Sequence, residues 1–123
     1  MAKSLEIVAQ RTDKDPFYEV NNTQSYVALS SITYGGLKWL PKGLAMAVNA
    51  GGKLIVYDHT AGAPDDVCIG FLLNEVIMDG VNDMDAVVVV SGVVFASTDY
   101  IPNWNVGIES CAVWAGFRKA NTI

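Results

Sequence analysis

The feature that most limits what this chain can become is the run Ala86 to Ala96, with valine at 87, 88, 89, 90, 93 and 94. Hydropathy alone does not separate a buried strand from a buried helix in such a run. The side chains do, because valine is confined at χ1 against a helical turn and packs well on a pleated surface. The run therefore reads as a strand, with Ser91-Gly92 in its middle where a bulge or bend would sit. A bilayer is not its setting. Extended to Thr98 the run is 13 residues long, whereas a spanning helix needs about 20.

The rest of the chain follows the same strand-and-turn grammar. Tyr26 to Tyr34 reads as a strand broken by Gly35-Gly36, and Lys38 to Gly43 as a loop around Pro41. Leu44 to Val48 and Lys53 to Tyr57 form a hairpin across the Asn49-Ala50-Gly51-Gly52 turn. Asp58 to Asp66 is a loop. Val67 to Ile77 is a long apolar strand with Gly70 as its expected break, and Asp79 to Asp85 an acidic turn. Val106 to Ala115 carries one short helix, capped by Asn105 and stopped by Gly116. The expectation is a mainly β domain, β-rich with at most two short helices.

A length of 123 residues makes one domain. It is divided into a flexible N-terminal arm, residues 1–20, and a single β-rich domain, residues 21–123. The arm holds Lys3, Arg11 and Lys14 with Glu6, Asp13, Asp15 and Glu19, seven of the chain's 21 charges. A stretch so charged contributes little to a core and is expected to be mobile in the free protein. Ser4-Leu5-Glu6-Ile7-Val8-Ala9 stands apart within it as a β-prone segment, suited to joining the edge of another protein's sheet. Glu6 also interrupts any signal-peptide core, so export by that route is not expected.

Partners follow from charge and hydropathy. A net charge of −5 with eight scattered cations does not supply the clustered Lys and Arg that release counterions from nucleic acid or anionic lipid. Neither nucleic acid nor membrane is expected as a partner. A mean hydropathy of +0.28 is high for so small a domain, and surplus apolar surface points to association, most simply with further copies of the chain.

The residues that carry chemistry make no constellation, so the chain is read as not an enzyme, with no cofactor and no metal. His59 is the only histidine, next to Asp58 in a loop and without a nucleophile motif. Asp79, Asn82, Asp83 and Asp85 offer oxygens to a cation, but a calcium loop counted from Asp79 or Asp83 puts valine where the bidentate Glu belongs. A solvated turn is the better reading. Cys68 and Cys111 belong to no Cys/His cluster and read as two buried apolar thiols rather than a disulfide or metal site. Trp39, Trp104 and Trp114 lie near loops or the terminus, and either fill core or supply an interface. A sugar platform is a weaker third reading.

One stretch goes further. Leu44-Ala45-Met46-Ala47-Val48, a turn, Lys53-Leu54-Ile55-Val56-Tyr57-Asp58, a small-residue loop with Thr60 and Gly62, then Val67-Cys68-Ile69-Gly70-Phe71-Leu72 come in a distinctive order. Asp83 to Val94 with its Ser-Gly follows, then Tyr100 and Pro102. This resembles the head decoration proteins of lambda-type tailed bacteriophages, over roughly half the chain. The resemblance implies a β-clip or barrel-like homotrimer on the outer surface of the virion capsid, assembled in the host cytoplasm. Its partner would be the major capsid protein, its arm Met1 to Val20 pairing with capsid strands, and its role to stabilise the head against genome pressure. Asn21 to Gly43 and the chain beyond Asn103 depart from the family's pattern. From another class of function, a small β-barrel module binding a carbohydrate or cell-surface ligand is the alternative.

Overall fold

The computed structural model describes residues 15–120; the strand-forming segment Ser4, Leu5, Glu6, Ile7, Val8, Ala9 lies outside them. Eight strands account for most of the regular structure: β1 Phe17–Ala28, β2 Trp39–Leu40, β3 Ala45–Val48, β4 Leu54–Val56, β5 Gly70–Leu72, β6 Val76–Ile77, β7 Met84–Val94 and β8 Phe117–Lys119. Two 3₁₀ turns, Val106–Ser110 and Ala112–Gly116, precede β8. The chain is mainly β, as its valine and turn pattern requires.

The valine run is the spine of the sheet. β7 pairs with β1 along its whole length on one side, and with β5 and then β8 on the other. The strand order β1-β4-β3-β5-β7 returns to β1, which closes these five strands into a small barrel. Closure makes a core on each side of the wall. Residues from all five strands, among them Ala28, Met46, Leu54, Leu72 and Val88, fill the barrel, β1 contributing chiefly at its Ala28 end. Their neighbours Ala45, Ala47, Tyr57, Phe71 and Val89 face outward, beneath Ile101, Ile108 and Phe117 from the C-terminal segment. Strands covered on both faces have no polar side to display, which explains why β3, β5 and β7 read as continuous apolar runs.

Asn103 fastens the outer layer to the wall. Its Oδ1 accepts from the Ala45 amide at 2.7 Å, and its Nδ2 donates to the Ala45 and Tyr57 carbonyls at 3.0 and 3.1 Å. Asn105, the expected cap, accepts from the Gly107 amide at 2.8 Å.

Several expected boundaries move. The first strand starts at Phe17, not Tyr26, because Phe17 is buried in the outer core and its charged neighbours can stay exposed while the backbone zips onto β7. Phe17–Val20, grouped with the arm by their charge, thus belong to the sheet. The strand also ends at Ala28, where the Ile32 amide turns back to the Leu29 carbonyl. Trp39–Leu40, read as loop, pairs with Val76–Ile77, because Leu40 is driven fully into the barrel core. The long strand expected over Val67 to Ile77 divides into β5 and β6, and Gly70 opens β5 rather than breaking it. The expected single helix is two 3₁₀ turns parted at Cys111, each too short to be a regular α-helix.

Candidate functional site

The three tryptophans do not form one surface. Trp104 and Trp114 meet at 5.5 Å between ring centroids, and Trp114 stacks on Phe117 at 5.7 Å. Both are partly buried against the outer core. Trp39 lies apart on the β2–β6 ribbon, with its Nε1 donating to Glu75 at 2.9 Å. There it sits across the ribbon from Ile77, which is 67% exposed, and Leu37 and Val81 on the flanking turns are 60% and 78% exposed. The sequence places Trp39–Leu40 in a loop and Val76–Ile77 at the end of a longer strand, and so does not reveal that they pair. The available signal was Leu37 and Trp39, apolar residues two apart before a proline.

An open groove of about 680 Å³ lies beside β4, lined by Tyr34, Tyr57, Asp58, His59, Asp65 and Trp104. It brings the lone histidine, one tryptophan and two carboxylates to one place. Asp58 is not poised as a base, because its Oδ1 accepts from the Thr60 hydroxyl at 2.6 Å and the Thr60 amide at 2.9 Å. These bonds, led by the hydroxyl, hold its carboxyl below the usual range. Asp58 serves as a turn residue.

Two carboxylates of the acidic turn, Asp79 and Asp83, are spent on the protein's own donors. Asp79 Oδ1 accepts from the Val81 and Asn82 amides at 2.8 Å each. Asp83 accepts from the Ser30 amide at 2.8 Å and pairs with Lys53. These bonds fold the turn and tie it to the β1 and β4 ends of the barrel. They also hold both carboxyls below their usual range, for Asp79 chiefly through the Asn82 amide and for Asp83 chiefly through Lys53.

Cys68 and Cys111, 43 positions apart in sequence, meet in the fold. The Cys68 amide donates to the Cys111 sulfur at 3.3 Å, and both thiols are free. Cys68 is buried, as expected, whereas Cys111 is only partly so, at the junction of the two 3₁₀ turns. Burial pushes the Cys68 thiol up to about 12, so almost none of it is thiolate at pH 8. Iodoacetamide at that pH is expected to alkylate Cys111 first and leave Cys68 unmodified until the protein is unfolded. Peptide mass mapping checks the order, and equal labelling of the two would contradict the packing.

Comparison with known proteins finds no matching family model and no curated protein that matches the chain. What the described residues present is a barrel whose acidic turn has Asp79 and Asp83 internally bonded, an apolar ribbon left uncovered, and two strand edges left unpaired.

Proposed function

We propose that this chain is a structural decoration protein of a tailed-phage capsid, binding the outer surface of the head as a homotrimer and bracing it against the packed genome. The observation that supports the reading most is the uncovered apolar ribbon carrying Trp39 and Ile77, with Leu37 and Val81 on its flanking turns. A surface of this kind is built to be covered by protein. The strand order that resembles the lambda-type family is the second support. No chemistry is required of such a protein, only many weak contacts held at once.

The leader supplies the attachment. One added strand of five residues brings a few backbone hydrogen bonds worth about 1 kcal/mol net each, offset by the cost of ordering it. Three leaders on one trimer make the second and third attachments intramolecular, which raises avidity by about 10²–10⁴. Co-expression with the major capsid protein of the genome that encodes the chain, followed by pelleting of the shells, tests the reading. The chain is expected in the pellet at three copies per local threefold position. A chain that stays in the supernatant with intact shells would overturn the proposal.

The groove beside β4, with Trp104 and Tyr34 on its walls, favours a second reading as a carbohydrate-binding module. That reading predicts a monomer or dimer whose tryptophan fluorescence responds to sugars. Sedimentation of the free protein separates the two.

A further inference from the structure

Two strand edges face outward at the same level of the sheet and carry opposite charge. Where β7 passes through Gly92, Val93 and Val94 it lies between β1 and β8, with Glu19, Val93 and Arg118 in one row across the three strands. Among the described residues neither outer strand has a further neighbour there. Among the described residues β1 meets β4 only at Ala28, and β8 pairs only with β7.

An unpaired edge is a template for another chain, and proteins blunt such edges with lysine, proline or bulges. β8 carries Arg118 and Lys119, both exposed. The exposed stretch Tyr18 to Val27 of β1 holds one charge, Glu19, and neither lysine nor proline. Its register irregularities against β7 fall between Phe17 and Thr23, and bulges of this kind bend and twist a strand as a closed ring would need. Within one copy Glu19 and Arg118 face each other across a shallow groove of about 430 Å³ over Gly92 and Val93. Two strand spacings separate them, and no ion pair of the described residues includes either one.

We propose that β8 of one copy adds to the outer edge of β1 on the next, head to tail, so that three copies close into a ring through one continuous sheet. The inference rests on the threefold assembly proposed above and says which surfaces make it. Copies related by an axis along the strands keep their strand directions. β8 runs parallel to β7 and β1 antiparallel to it, so β8 meets the neighbouring β1 antiparallel, the more stable pairing. The row Glu19, Val93, Arg118 then continues with Glu19 of the next copy beside Arg118, where opposite charges attract at cross-strand distance. Pairing β8 with β8 would set Arg118 against Arg118. Repulsion there excludes the two-fold alternative and selects the head-to-tail contact, which closes into rings.

Light scattering on the full chain and three variants tests this. The wild type is expected to be a trimer. Glu19→Arg and Arg118→Glu, each alone, are expected to weaken the trimer roughly tenfold or more by opposing like charges at three contacts. The double variant Glu19→Arg/Arg118→Glu restores opposite charges and is expected to recover the trimer. That recovery also separates a lost contact from a lost fold. A wild type that is monomeric or dimeric, single variants as trimeric as the wild type, or a double variant that stays apart would each overturn the proposal. None of these masses depends on a capsid, so a trimer held by other surfaces leaves the decoration reading open to its own pelleting test.

Discussion

Removing residues 1–14 is expected to weaken binding to the shell by about 10²-fold or more while leaving the barrel folded. The size follows from how the attachment is divided. In the proposed attachment each leader alone would add a marginal strand, and the affinity would come from three of them acting together. Fourteen residues reach about 45 Å when extended, enough for each copy to contact a different capsid subunit. The fold should be indifferent to the loss. The chain is anchored from Asp15 onward, where the carboxylate pairs with Lys42 at 3.1 Å and accepts from the Phe17 amide at 3.0 Å. The measurement is a pelleting isotherm on empty shells for the full and shortened chains, beside thermal unfolding of both. Equal isotherms would remove the leader from the mechanism. A shortened chain that no longer folds would show that residues 1–14 belong to the domain.

Substituting Gly92 by valine is expected to lose about 4 kcal/mol of stability, near 10³-fold in the folding equilibrium. Gly92 has φ +152, and a β-carbon there would come within 2.2 Å of the Glu19 carbonyl oxygen and 3.2 Å of the Val20 Cα. Both partners are backbone and cannot swing aside. The substitution must therefore strain φ and push β1 off β7 together, and each is worth about 1–3 kcal/mol. Domains of this size are stable by only about 5–15 kcal/mol. Urea unfolding should show a markedly lower midpoint for Gly92→Val. Ser91→Ala, next to it, should stay near the wild type, since it loses only an exposed bond from Asn22. Similar midpoints for Gly92→Val and the wild type would mean that β1 does not approach β7 as described.

Much of the fold was legible because strands write themselves locally. The β3–β4 hairpin, the β7 strand with its glycine, and the Asn105 cap each depend on residues within a few positions of one another. β1 was misplaced for the opposite reason. Its charged and polar side chains look like a leader, and it is a strand only because β7 offers it a complete partner and Phe17 a buried seat. The β2–β6 ribbon joins residues 36 and 38 positions apart, and two-residue strands have too little pattern to announce themselves. The candidate site was legible by type and not by place. Three tryptophans were visible as a set, yet only the fold parts Trp39 from Trp104 and Trp114, whose rings meet.

By itself the sequence determined that this chain would be a β-rich domain with apolar surface to spare, because β-branched runs and glycine turns act through neighbouring backbone angles. Barrel closure, the second core outside it, the meeting of Cys68 with Cys111 and the two edges of opposite charge, unpaired among the described residues, were decided by tertiary structure alone. Each depends on which strands lie side by side. That choice is set by how well distant apolar faces cover one another, a property of the whole assembly of strands that no short stretch of residues carries.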